Sequence, residues 1–328
     1  MKKTVLSIIM LILTAGLLGG CGRAAKTAEA DSLTESDPGE RISVVATIFP
    51  EYDWVMNVVG DNPGNVEVTM LLDNGVDMHS FQPVARDIMK ISSCDLFIYV
   101  GGESDDWVED ALKEAVNKDM VVLNLLDILG DRVREEEFVE GMQGGPEEDP
   151  EYDEHVWLSL TNAGILVQSI SEAMQRIDPA DAAKYASNAE AYIEKLNSLD
   201  EEYRSAIRDA SGDTLLFGDR FAFRYMTDDY GLRYYAAFEG CSAETEASFE
   251  TVMFLAEKTD ELSLPCVLTL EGSDHRLAET IVLTTSDKDQ RILSLDSMQS
   301  VSKDDVQAGK TYLNIMSENL EVLKEALR

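Results

Sequence analysis

What most constrains the fold is a change of rhythm partway along the 328-residue chain. Short runs rich in β-branched and aromatic residues alternate with helical patterns, stop, and then alternate again. The first series predicts strands over 43–48, 66–71, 96–100 and 120–123, with helices over 51–59, 83–92 and 105–116 between them. The second predicts strands over 214–217, 234–238, 267–270 and 292–295, with helices over 221–229, 247–260 and 277–284 and a closing helix over 309–327. Alternation of this kind implies parallel sheets covered by helices on both faces. Residues 158–209 between the series carry helical pattern only. There Ala182, Tyr185, Ala189, Tyr192, Leu196, Leu199 and Tyr203 recur at threes and fours, which makes one apolar stripe. A helix of about 30 residues would be about 45 Å long. The expected architecture is α/β. It has two similar lobes, each with a mostly parallel four-stranded sheet flanked by helices, joined by one long rigid helix that argues against wide hinge closure.

The N-terminus reads as a targeting segment. Met1-Lys2-Lys3 is a short basic stretch, and 5–18 is an apolar run that ends at Leu18-Gly19-Gly20-Cys21. At about 14 residues the run is too short for a permanent span, which takes about 20. Small residues just before a cysteine predict a lipoprotein signal peptide over 1–20, cleavage before Cys21 and lipid on its sulfur. Residues 21–40 lack large apolar side chains and predict a flexible tether. The N-terminal lobe then takes 41–178, the linking helix 179–210 and the C-terminal lobe 211–328. The expected location is the outer face of the bacterial cell membrane.

The chain carries 63 acidic against 27 basic residues, a formal charge of −36. That excludes charge-driven binding of nucleic acid, which needs lysine and arginine for the phosphates. Cations are the natural partner. Between Arg134 and Arg176 there is no basic residue, and the acidic loop 135–154 holds ten carboxylates just ahead of His155. It reads either as a solvated loop or as one that collects cations. Cys94 precedes an apolar run and is expected to be a small buried hydrophobe. Cys241 and Cys266 should lie at opposite ends of a parallel sheet, which argues against a disulfide between them.

The chain has three histidines. His79 sits in Gly75-Val76-Asp77-Met78-His79-Ser80-Phe81-Gln82-Pro83 and His155 in Asp153-Glu154-His155-Val156-Trp157. Neutral imidazole is the commonest protein ligand for transition metals, and two with carboxylates suffice for a site. His275, in Ser273-Asp274-His275-Arg276, reads as an exposed residue at a helix start.

These motifs stand in a longer series. Val45-Ala46-Thr47-Ile48-Phe49-Pro50, the loop 71–83, the run 92–102 with Trp107, and Glu154-His155-Val156-Trp157-Leu158-Ser159 with Asn162-Ala163 come first. Asp229-Tyr230-Gly231-Leu232, Glu246-Ala247-Ser248, Leu270-Glu271-Gly272-Ser273, Ala278-Glu279-Thr280-Ile281, Leu295-Asp296-Ser297 and the helix 312–327 follow. In this order, over about residues 42–328, the chain resembles the metal-binding (zinc/manganese) solute-binding lipoproteins of ABC importers, in the manner of the zinc receptors.

The resemblance implies a metal held between the lobes by loops at the carboxyl ends of strands, as is general in open α/β sheets. It implies His79 and His155 as ligands from the N-terminal lobe and Asp296 from the C-terminal lobe. The family's remaining ligand position falls on Gly218, which has no side chain. The adjacent Asp219 is the substitute, with a rival role as the cap of the next helix. Glu271, Cys241 and Glu244 are further candidates for the shell, and a thiolate would favour zinc. The implied ligand is Zn²⁺, with Mn²⁺ as the alternative. The implied partners are an ABC permease with its ATPase and a membrane reached through lipid, and the chain is expected to be a monomer without enzymatic activity. The competing functions are a manganese or iron receptor of the same family, an adhesin-like lipoprotein, and a metallohydrolase. The last would need an open coordination position and a nearby base, and the chain has no His-Glu-x-x-His motif.

Overall fold

The computed structural model describes residues 41–61, 64–144, 151–242 and 246–328. The signal peptide, Cys21 and the tether expected over 1–40 lie outside them, as do Glu244 and residues 145–150 of the acidic loop. Both expected sheets are present. The first holds β1 (Ile42–Ala46), β2 (Val66–Met70), β3 (Leu96–Tyr99) and β4 (Val121–Asn124) in the order β2-β1-β3-β4. The second holds β5 (Thr214–Arg220), β6 (Arg233–Phe238), β7 (Cys266–Leu270) and β8 (Arg291–Leu295) in the order β6-β5-β7-β8. Every pairing is parallel, so the same topology occurs twice. Central strands buried on both faces read as continuous apolar runs. Val44-Val45-Ala46 and Leu96-Phe97-Ile98, all fully buried, are two such runs.

Helices α1 (Phe49–Val59), α2 (Ala85–Ser93), α3 (Trp107–Lys113) and α4 (Leu125–Leu129) flank the first sheet. Next come α5 (Leu160–Ile177) and the long α6 (Ala182–Arg208). The second half adds α7 (Arg224–Tyr230), α8 (Phe249–Glu261), α9 (Arg276–Thr284), α10 (Lys303–Gln307) and α11 (Tyr312–Ala326). Six of the seven stripe residues on α6 are buried; Ala182, at its first position, is half-buried. At 27 residues the helix is about 40 Å long. It is separate from α5 because Asp178 precedes Pro179 and is driven out of the helical region, to φ −126° and ψ 81°. Among the described residues no helix is long and apolar enough to cross a membrane.

One apolar core runs from Val44 to Leu327, through both sheets and the helices between them. A smaller cluster, including Leu216, Phe238, Leu255, Val267 and Ile281, belongs to the second sheet alone. The unit Glu40–Arg328 is compact as a whole. One local expectation fails at the second sheet. β5 does not stop at Phe217 but continues through a bulge to Arg220, which pairs with Phe238. Gly218 and Asp219 therefore lie in a strand, and α7 begins at Arg224 with Phe223 at its cap. Asp219 cannot cap that helix.

Candidate metal centre

His155 opens a single 3-10 turn, Val156–Leu158, and its ring is wholly buried. Asp153 determines its pose. One carboxylate oxygen, Oδ1, accepts both the backbone N–H of His155 at 2.8 Å and its ring Nδ1 at 3.0 Å. Oδ1 already accepts the backbone N–H, and as the ring's acceptor too it takes the Nδ1 proton, which leaves Nε2 to face the site. This is the carboxylate–histidine pairing that orients metal-binding imidazoles. The opposite wall is Gly240. A Cβ there would sit 3.1 Å from His155 Cε1 and 2.6 Å from the carbonyl oxygen of Phe221, so only glycine lets this backbone pass the ring.

His79 lies in a second 3-10 turn, Met78–Ser80, capped by Asp77, whose Oδ1 accepts the His79 N–H at 3.0 Å. The chain enters past Gly75, at φ +74°, where a Cβ would come within 3.1 Å of the Ser300 carbonyl oxygen. Both the left-handed backbone and the close approach to the C-terminal lobe require glycine there. His79 Nδ1 is 2.8 Å from Ser104 Oγ and 3.5 Å from Glu154 Oε2. Its Nε2 faces His155 Nε2 at 3.3 Å.

The third residue at this place is Cys241, three residues beyond the end of β6. The ligand atoms of His79, His155 and Cys241 all lie within 4.8 Å of one another, the one such cluster of His, Cys, Asp or Glu among the described residues. The Cys241 backbone N–H donates to Glu136 Oε1 at 2.9 Å. Glu136 comes from the acidic loop, whose described part is tied down at several points although Glu135, Glu137 and Glu140 remain exposed. Glu135 bridges to Tyr152, Gln143 N–H donates to the Ala237 carbonyl, and Met142 is buried. The loop thus crosses from the N-terminal lobe to the C-terminal one and brings a carboxylate to the thiol.

The structure does not bring Asp219, Asp296 or Glu271 into this cluster. Asp219 accepts the N–H groups of Arg220 and Leu270. Asp296 accepts the Met298 N–H at 2.8 Å and lies 3.4 Å from Lys310 Nζ. Glu271 is spent on the 297–300 turn, accepting from Ser297 N, Ser297 Oγ and Gln299 N. His275 is half-buried rather than exposed, because its positive φ of 61° turns the ring onto Thr269 Oγ1 at 3.1 Å. Cys266 opens β7 while Cys241 follows β6, and both are free thiols. Cys94 is fully buried, its thiol pushed up to about 12 chiefly by burial.

The electrostatics suit a cation. Burial and then His155 hold the His79 imidazole far below its usual range, at about 3, so its ring is neutral. Burial also opposes charge on His155, but Asp153 foremost, then Glu136 and Glu154, outweigh it and raise its pKa. Burial and Glu136 raise the Cys241 thiol well above its ordinary value. A divalent ion reverses that preference, since a coordinating thiol is deprotonated outright. Glu154 Oε2 is buried without a hydrogen bond. A further link spans the lobes: Arg220 Nη2 donates to Asp77 Oδ2 at 2.6 Å and Nη1 to the Ser242 carbonyl at 3.5 Å. One guanidinium thus ties the turn carrying His79 to the loop carrying Cys241.

Known proteins share this plan. A family model described as zinc-uptake complex component A, periplasmic (ZnuA), matches residues 44–326. Zinc-binding protein AdcA of Streptococcus pyogenes is 28% identical over 296 residues, which cover 87% of this chain and 56% of that protein. The chain therefore spans just over half the length of that relative. The high-affinity zinc uptake system protein ZnuA of Bacillus subtilis is 28% identical over 314 residues, 95% of this chain and 94% of its own. The Zn(II)-bound ZnuA-like domain of Streptococcus pneumoniae AdcA has a TM-score of 0.69 and 27% identity, covering 88% of this chain and 99% of that one. With its two repeated sheets, its histidine pair at the seam and a family match over nearly all of its folded part, the chain belongs to the ZnuA family of periplasmic zinc-uptake components.

Proposed function

We propose that this protein captures zinc(II) on the outer side of the cell membrane and hands it to the permease of an ABC importer, with His79, His155 and Cys241 as its donors. Lipid on Cys21 would tether it, as a monomer, beside that permease. One observation carries the reading. Two nitrogens bound to one tetrahedral zinc at 2.0–2.1 Å lie about 3.3–3.4 Å apart, and the two Nε2 atoms here are separated by 3.3 Å. Both rings turn these nitrogens inward while Nδ1 is engaged by Asp153 or Ser104.

The donor set speaks for zinc over manganese, since manganese favours oxygen donors and a thiolate favours softer ions. It speaks for binding rather than turnover, because Asp153, the carboxylate hydrogen-bonded to His155, is already used to orient that ring. Calorimetry against a zinc chelator tests the reading directly. His79→Ala should weaken zinc on the order of 100-fold or more, beyond the loss usual for an outer partner. Wild-type affinity in that variant would remove the assignment.

A further inference from the structure

Asp153 and Glu154 are neighbours in the chain yet face different rings. Asp153 Oδ1 lies 3.0 Å from His155 Nδ1, whereas Glu154 Oε2 lies 3.5 Å from His79 Nδ1. Glu154 is 2% exposed, and its two oxygens are in unlike situations. Oε1 accepts the Ser104 N–H at 2.9 Å, while Oε2 is buried with no hydrogen bond. A buried acceptor left without a donor is costly, and the His79 ring nitrogen is the group beside it that can offer a proton. Ser104 Oγ, 2.8 Å from the same nitrogen, does not settle where that proton sits, because a hydroxyl can donate or accept. A carboxylate oxygen on that side of the ring favours the proton on Nδ1. The fold also makes room for it. Gly102 has φ +81°, and a Cβ there would come within 2.3 Å of Glu154 Oε1. Both the left-handed backbone and the close approach require glycine. With Oε1 pinned by Ser104 N–H, Oε2 is held towards His79.

We propose that Glu154 is the positioning residue for His79: its Oε2 keeps the ring proton on Nδ1 and leaves Nε2 free for zinc, an inference that rests on the zinc site proposed above. The dipeptide Asp153-Glu154 then orients both imidazoles, one carboxylate to each. A carboxylate behind a zinc-binding imidazole fixes its tautomer and raises its basicity. The tautomer matters here because the two Nε2 atoms are only 3.3 Å apart, so a proton on His79 Nε2 would stand where the ion must go. Glu154 is outside the cluster formed by His79, His155 and Cys241 and acts through the ring alone.

The test uses the full chain with Glu154→Gln and Ser104→Ala, each checked for unchanged thermal unfolding of the metal-free protein. The nitrogen–proton correlation spectrum of the imidazoles reads the His79 tautomer without metal, and chelator competition reads zinc affinity. Glu154→Gln keeps an acceptor for the Ser104 N–H and turns an NH₂ donor towards Nδ1. The His79 proton should therefore move from Nδ1 to Nε2, and zinc should bind roughly 10- to 100-fold more weakly, as when an outer partner is lost. Ser104→Ala removes the hydroxyl but keeps the carboxylate, so the proton should stay on Nδ1; this variant decides the matter if the glutamine protein does not fold. An unmoved proton in folded Glu154→Gln, whatever its affinity, or a proton moved to Nε2 in Ser104→Ala would overturn the proposal. A parallel His79→Ala protein assigns the ring signal and separates the two claims. Wild-type zinc affinity in it would remove the site itself, whereas its failure to bind beside an unaltered Glu154→Gln protein would remove only the role of Glu154.

Discussion

Replacing Glu51 with glutamine should change how the stability of the metal-free protein depends on pH. Glu51 is the third residue of α1 and is fully buried. Its Oε2 accepts the N–H groups of Thr47 at 2.7 Å and Ile48 at 3.2 Å and the Thr47 hydroxyl at 3.0 Å, while Oε1 has no partner. Burial, and then repulsion from Asp105, raise its pKa from 4.5 to about 8. The folded chain thus holds this proton more tightly than the unfolded one. By linkage the associated stability is complete below pH 4.5, falls as pH rises, and is gone above about 8. At about 1.4 kcal/mol per pH unit, the decline between pH 5.5 and 7.5 comes to roughly 2–3 kcal/mol. In the Glu51→Gln protein the amide oxygen would keep the acceptor for Thr47 and Ile48 and the group cannot ionise, so the variant should lack that decline. Urea unfolding of both proteins at the two pH values, with chelator present, measures it. Asp105, raised to about 7 chiefly by burial, is present in both proteins. Parallel stability curves would show that Glu51 is ionised and solvated, and the reasoning about this buried acid would fail.

Cys241→Ser should lower zinc affinity by on the order of 100-fold while leaving manganese nearly unchanged, because only the softer ion loses a preferred donor; competition between the two ions reads the ratio. Arg220→Met should speed zinc release, and a double-mutant cycle with Asp77→Asn should give a coupling of about 1–2 kcal/mol, within the usual range for contacting partners. A coupling near zero would show that the pair, each side chain about a quarter exposed, does not hold the two ligand loops together. Zinc affinity should fall as pH drops, with proton competition beginning above the usual imidazole value of 6.5 because Asp153 and its neighbouring carboxylates raise His155. Chelator competition between pH 8 and 5 checks the slope, and a flat profile would contradict the imidazole ligands.

The sheets and the long helix were legible because each has a local signature, period or length, and the two histidines stood out in the sequence as unusual residues in distinctive settings. What was not legible depended on tertiary partners. Asp219 and Asp296 stand near strand ends where a ligand belongs, but backbone N–H groups of Leu270 and Met298 claim their oxygens. Nothing near Cys241 distinguishes it from a structural thiol until Glu136 and the histidines, distant in sequence, are folded around it. Gly240 offered no signal beyond being glycine, and its reason is the His155 ring. Glu51 reads locally as an ordinary acid in the first turn of a helix, and its carboxylate does bond back to the Ile48 N–H. Its complete burial comes from what packs over it.

The seam between the lobes also bears on how an ion could leave. Trp157, two residues from His155, donates from Nε1 to the Ser297 carbonyl at 2.8 Å, and the Tyr312 hydroxyl donates to the Trp157 carbonyl at 2.6 Å. Both side chains are fully buried within a core common to the two sheets. Aromatic side chains of this size bury about 150–250 Å² each, so exposing the pair would cost ~8–12 kcal/mol at about 25 cal/mol per Å². That is comparable to the whole stability of a typical domain. Wide separation of the lobes is therefore too costly to serve as the ordinary route. The loop carrying Cys241 is held more lightly, by the bond from its N–H to Glu136 and by Arg220 reaching Ser242 and Asp77. These are polar contacts that water can replace, so on the proposed reading displacement of that loop would withdraw Cys241 from the ion while the core around Trp157 stays closed.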